Sequence, residues 1–179
     1  MFEYAGGKLS DALYFQEHYE TLVREAADFI RGWVAANFRG RDVFPDVPSF
    51  GIVLGSGLGD LADTIENKIE IPYENIPNFP RPTIEGHEGK LLVGELEGVS
   101  VIGLKGRKHY YEVADEPFNT GMLQVIFPVH VLAELGVRNY FVTNAAGGLH
   151  PSYNVGDLMV ITSHINMIPN SLLGRHHTF

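Results

Sequence analysis

Three short segments hold the residues best suited to chemistry. Gly55-Ser56-Gly57-Leu58-Gly59 follows the apolar run Phe50–Leu54 and precedes Asp60-Leu61-Ala62-Asp63. A strand, a glycine turn and a helix start aim backbone N–H groups and the positive helix end at an anion. Ser56 adds a hydroxyl donor. The third glycine comes one residue earlier than in the dinucleotide fingerprint, and no Gly-Lys-Ser/Thr ending follows. The pattern therefore suits a phosphate-sized anion, with a purely structural tight turn as the alternative. The second segment is Lys105-Gly106-Arg107-Lys108-His109-Tyr110-Tyr111-Glu112. Arg107 offers a fork of donors matched to phosphate oxygens, and His109 offers another donor. If the chain stays extended, both lie on one side. A solvated basic turn is the competing reading. The third segment, Asn144-Ala145-Ala146-Gly147-Gly148, also follows an apolar run. Loops after strand ends converge on one crevice in an α/β sheet, which makes the three segments neighbours.

Other polar groups carry less. His87 sits in a polar glycine loop, either as an exposed side chain or as part of the site. His164 follows a strand pattern and suits a turn. His176-His177 lack a third ligand at metal-binding spacing, and the chain has no cysteine. The carboxylate pairs Asp63/Glu66 and Glu85/Glu88 are explained by charge near a helix start or in a loop.

The elements that must position these residues follow from periodicity. Residues 11–38 predict one long amphipathic helix, with Phe15, Tyr19, Leu22, Ala26, Ile30 and Trp33 on one face. Residues 71–82 are proline-rich and predict an extended segment or loop. Lys90–Leu96 and Val99–Leu104 flank Glu97-Gly98 and predict a hairpin. Pro117 opens a second helix, in which Pro128 predicts a kink or a division. Residues 138–143 predict a buried strand, and Leu158–Thr162 another. Alternating strands and helices predict an α/β fold with a mixed or parallel central sheet flanked by helices, in a single domain over residues 1–179.

Composition narrows the function classes. The chain has 179 residues, 45% hydrophobic and 20% charged, an ordinary globular balance. Its net charge of −9 argues against a nucleic-acid partner and requires a local positive cluster to hold any anion. No apolar run reaches membrane-spanning length, and Met1-Phe2-Glu3-Tyr4 lacks a signal-peptide pattern, so a cytoplasmic location is expected.

Six motifs occur in order: Gly-Ser-Gly-Leu-Gly (55–59), Gly-His-Glu-Gly (86–89), Gly-Arg-Lys-His-Tyr-Tyr-Glu (106–112), Thr-Asn-Ala-Ala-Gly-Gly-Leu (143–149), Val-Gly-Asp-Leu-Met (155–159) and His-Ile-Asn (164–166). Together they resemble the trimeric purine nucleoside phosphorylases, in the branch shared with methylthioadenosine phosphorylase. The Asn-Ala-Ala-Gly-Gly and Arg-x-His-Tyr-Tyr-Glu segments look like the nucleoside phosphorylase itself. The resemblance implies reversible phosphorolysis of a purine ribo- or deoxyribonucleoside to free base and pentose 1-phosphate. Inorganic phosphate is then a co-substrate and no cofactor is expected. By the family pattern Ser56, His87, Arg107, His109 and the Ala145 N–H would bind phosphate, with Arg107 and His109 the catalytic pair. Tyr111 would contact the ribose, and Ala146 and Gly147 would lie along the purine. The resemblance implies a homotrimer for the full-length enzyme. The family's base-recognising groups lie beyond the matching region, so the chain reads as lacking its C-terminal third. Two other readings stay open: a methylthioadenosine phosphorylase, and a non-catalytic phosphate-binding or oligomerisation remnant.

Overall fold

The structure is a computed structural model that describes residues 9–37, 48, 50–55, 57–83 and 89–170. Its elements are α1 (Leu9–Glu17), α2 (Tyr19–Asn37), β1 (Phe50–Leu54), β2 (Glu66–Pro72), β3 (Lys90–Leu96), β4 (Val99–Lys105), α3 (Thr120–Glu134) and β5 (Asn139–Val142). Four 3-10 turns join them, at Gly59–Thr64, Tyr73–Asn75, Tyr110–Glu112 and Pro117–Asn119.

The strands form one mixed sheet in the order β2-β3-β4-β1-β5. β1 runs parallel to both β4 and β5, whereas β2, β3 and β4 form an antiparallel meander. The hairpin expected around Glu97-Gly98 is present. Both residues have positive φ, 50° and 76°, which is the backbone of a primed two-residue turn.

Side chains alternate across the sheet with period two. Val53, Leu91, Val93, Ile102 and Leu104 face a helical layer in which Leu22, Ile30, Phe127, Val131 and Leu132 are buried. Ile52, Leu54, Leu92 and Val101 face the other way and enclose Ala62 and Ile65. The 3-10 turn Gly59–Thr64 covers that second face, where the sequence suggests the start of a helix. Phe15, Tyr19 and Phe79 meet Phe127 at centroid distances of 6.0, 5.6 and 6.2 Å, which joins α1 and α2 to α3.

Several expectations are corrected. The single helix over residues 11–38 is two helices, divided at His18. The His18 Nδ1–H and the His18 backbone N–H both donate to the Tyr14 carbonyl at 3.0 Å, and the ring stacks on Tyr14 at 4.0 Å. The side chain thus competes with its own backbone for one acceptor. Residues 71–82, expected as an extended segment or loop, begin extended as the end of β2 at Ile71 and Pro72 and then enter the 3-10 turn Tyr73–Asn75. α3 continues through Pro128 undivided. The missing hydrogen bond is outweighed by burial on both sides of the proline, with Phe127, Val131 and Leu132 at 0–1% exposure.

β5 forms, but all four of its residues are exposed rather than buried. Leu158–Thr162 is exposed and irregular, not a strand. Among the described residues, β5 sits at the sheet edge and pairs only with β1, while Leu158–Thr162 joins no ladder. An apolar segment gains nothing from strand geometry when it has no ladder to join.

Candidate functional site

The site lies where β1, β4 and β5 end together. Parallel pairing brings their carboxyl ends to one edge of the sheet, as the sequence suggests for the three segments. Thr143 is the joint. Its hydroxyl donates to the Val53 carbonyl at 2.8 Å and accepts from the Gly55 N–H at 2.8 Å. The Thr143 carbonyl accepts from Arg107 Nη1 at 3.3 Å. A Cβ at Gly55 would lie 2.3 Å from that carbonyl oxygen and 3.1 Å from Arg107 Nη1. Only glycine lets these backbones approach so closely. Arg107 is therefore held at the mouth of the glycine turn by a backbone acceptor, with its other donors available for a ligand. Lys105 approaches the same turn, its Cε 4.0 Å from a Cβ built on Gly59.

The strand does not stay extended to His109. Gly106 has φ +99°, which turns the chain out of β4. The buried Tyr73 hydroxyl donates to the Gly106 carbonyl at 2.9 Å and fixes this turn. Burial, and next the neighbouring Tyr140, push the Tyr73 phenol well above its ordinary range. Burial also pushes Tyr140 up, to about 12, against the opposing pull of the Arg107 guanidinium. Tyr140 thus stands beside the arginine as a neutral phenol.

His109 enters the 3-10 turn Tyr110–Glu112. Glu112 Oε1 accepts from the His109 backbone N–H at 2.6 Å and from the ring Nδ1 at 3.0 Å. Glu112 Oε2 accepts from the Thr83 backbone N–H at 2.9 Å and from the Thr83 hydroxyl. Burial pushes this carboxyl up. The hydrogen bonds from Thr83 and His109 outweigh that effect and bring it down to about 2. Tyr111 stacks on His109 at 5.1 Å and is 69% exposed. Behind the segment, the start of α3 abuts Val113 so closely that a Cβ on Gly121 would fall 2.0 Å from the Val113 carbonyl oxygen.

Of the residues singled out from sequence, the structure brings Arg107 against Gly55 and Thr143, and His109 against Tyr111. Ala145, Ala146 and Gly147 follow β5 and are exposed. Ser56 and His87 lie outside the described residues, as do Glu85, Glu88, His176 and His177. His164 is exposed. Among the described residues, no group of three His, Cys, Asp or Glu could hold a metal ion, and no helix is long and apolar enough to cross a membrane. Asp63 and Glu66 form no joint site; Asp63 instead approaches Lys68 at 3.9 Å.

Sequence reasoning gave no role to Thr143, Thr83 or Glu112. Thr143 could have been found as a hydroxyl at a strand end directly before a small-residue turn. Thr83 left no signal, because its contact with Glu112 spans a long stretch of chain.

Comparison with known proteins identifies the family. Residues 49–177 match the family model described as "Phosphorylase superfamily". Purine nucleoside phosphorylase 1 of Geobacillus stearothermophilus is 47% identical over 155 residues, which are 86% of this chain and 51% of the relative. The Bacillus subtilis protein of the same name is 52% identical over 131 residues, covering 73% of this chain and 46% of its own length. A solved purine nucleoside phosphorylase in complex with ribose 1-phosphate superposes with a TM-score of 0.61 at 40% identity, over 75% of this chain and 44% of that one. A Schistosoma mansoni purine nucleoside phosphorylase in complex with inosine gives 0.61 at 38%, over 76% and 42%. The chain spans about half the length of the curated relatives it matches. A match over residues 49–177, most of the sequence, establishes that this chain belongs to the phosphorylase superfamily.

Proposed function

We propose that the chain contributes the phosphate and ribose side of a purine nucleoside phosphorylase site. The observation that carries this reading is the junction of Gly55, Arg107 and Thr143 at the ends of three parallel-paired strands. There a guanidinium is oriented but not consumed by its backbone acceptor. In the reaction a phosphate oxygen forms a bond to the sugar C1′ while the bond from C1′ to the purine nitrogen breaks. The bonding pair leaves with the purine, which takes up a proton. The sugar passes through an oxocarbenium-like state, so the protein must position reactants and stabilise charge rather than supply a nucleophile. Arg107, His109, Ser56, His87 and the Ala145 N–H are the proposed phosphate donors. Tyr111 is the proposed ribose contact, and Ala146 and Gly147 the proposed purine contacts. No cofactor is invoked. The working form is read as one α/β unit per subunit, in a cytoplasmic homotrimer active in purine salvage.

Calorimetric titration with inorganic phosphate tests the reading. The parent chain should bind, and Arg107→Ala should remove a charge-assisted contact worth about 1.5–3 kcal/mol. Equal affinities would exclude Arg107 from the site. A second reading is a non-catalytic phosphate-binding chain, favoured by the exposure of Ala145, Ala146 and Gly147 among the described residues. Phosphate binding without turnover of inosine or guanosine would select it.

A further inference from the structure

The sheet has two edges, and they are finished differently. β2 carries Glu66, Lys68 and Glu70, breaks register between Glu66 and Ile69, and ends on Pro72. Lys68 and Lys90 each pair with Glu70 at 3.2 Å. Charge, a bulge and a proline keep an edge from taking up another strand. β5 has none of them. Asn139, Tyr140, Phe141 and Val142 carry no charge, and Phe141 and Val142 are 63% and 54% exposed. Among the described residues no strand lies on the side of β5 away from β1.

The chain also holds the converse, a strand pattern with no ladder. Leu158-Met159-Val160-Ile161-Thr162 carries no charge and ends in three β-branched residues. Its five residues match the four of β5 in length. Exposure alternates along it, 91, 56, 85 and 53% from Leu158 to Ile161. That is the period of an extended backbone whose successive side chains point to opposite sides. The segment is not seated on its own β5, since every residue from 144 to 170 is exposed. An open edge and a strand without a ladder, carried by the same chain, are both satisfied when copies exchange them. We propose that Leu158–Thr162 of one copy adds as a strand to the β5 edge of another copy. The backbone ladder supplies the pairing. Phe141 and Val142 gain the apolar neighbours that they lack, because side chains on one face of paired strands come into contact. Each copy gives one strand and receives one, so the exchange closes with no edge left over.

The test uses the full 179-residue chain, which contains no cysteine. Sedimentation velocity over a concentration series should show a monomer converting to one discrete larger species. Val160→Pro removes the ladder N–H but stays apolar, and should raise the concentration at which this species forms by about tenfold or more. Val160→Thr keeps both the N–H and the β-branch, and should leave assembly close to that of the parent. Val160 is 85% exposed, so neither change touches the core of the single copy, and circular dichroism checks that. Hydrogen exchange at Met159 to Ile161 should slow as the larger species forms and be fast on dilution. Chains with Val142→Cys and chains with Val160→Cys, mixed and treated with a long-arm bismaleimide, should cross-link to each other. A parent chain that stays monomeric overturns the proposal, as does assembly that survives Val160→Pro or is lost equally with Val160→Thr. So does assembly without the Val142–Val160 cross-link. A double Val142→Cys/Val160→Cys chain that links only within itself overturns it too, because the segment would then occupy its own edge.

Discussion

At the scale of single residues, the site depends on contacts that leave no room. Gly55→Ala places a methyl group 2.3 Å from the Thr143 carbonyl oxygen, which is backbone and cannot swing aside. The expected cost is about 1–3 kcal/mol of stability, together with weaker phosphate binding as Arg107 is displaced. Chemical denaturation and phosphate titration on the same variant check both. Glu112 has a pH signature. Its folded-state value of about 2 lies below the ordinary 4.5, so its contribution to stability is complete above pH 4.5 and lost as pH falls through about 2. Unfolding midpoints measured from pH 5 to pH 2 should fall more steeply for the parent than for Glu112→Gln. Arg107 and His109 could be singled out from their neighbours alone, because cations beside glycine turns are scarce in an acidic chain. The groups that orient them could not. The Glu112–Thr83 and Thr143–Val53 bonds join distant stretches of chain, and no spacing rule reports such a contact.

At the scale of elements, the sequence is legible where one cause dominates. The hairpin follows from two strand patterns around Glu97-Gly98, and the turn has the expected backbone. Glu97 is nevertheless a poor residue for φ +50°. Glu97→Asn should stabilise the fold by a few tenths to ~1 kcal/mol, measurable as a raised denaturation midpoint. Where local and tertiary terms compete, local pattern and structure part. Pro128 argues for a break, but the helix carries Phe127, which is fully buried and packs on Phe15, Tyr19 and Phe79. Phe127→Ala should therefore cost about 3–5 kcal/mol and loosen α1 from α3 together. Thermal unfolding gives the first quantity, and the near-ultraviolet signal of the aromatic cluster the second. The break at His18 has the opposite cause, because a purely local competition for the Tyr14 carbonyl interrupts a strong apolar periodicity.

At the scale of the whole molecule, order is divided unevenly along the chain. β3 and β4 are central and buried, whereas residues from 144 to 170 are exposed, with Leu149 at 98%, Leu158 at 91% and Ile165 at 90%. Native-state hydrogen exchange of the dissociated chain should find the slowest amides in β3 and β4, and near-random-coil rates over residues 144–170. Protection there comparable to that of β4 would contradict the exposure. The strand order has a further consequence in time. β3 and β4 are sequence neighbours that close through the two residues Glu97 and Gly98, so their hairpin can assemble early. β1 precedes all of them along the chain, yet its register partners are Val101 on one side and Asn139 on the other. A strand that appears first must wait for the last one before its second ladder can form, and the closing step carries the largest loop entropy in the sheet. Pulse-labelled refolding should protect the amides of the β3–β4 hairpin before those of Gly51 to Leu54. During that wait the glycine turn after β1 has no Thr143 to hold it, so an anion-binding pocket would appear only in the final kinetic phase, and phosphate added during refolding should leave the hairpin's rate of protection unchanged.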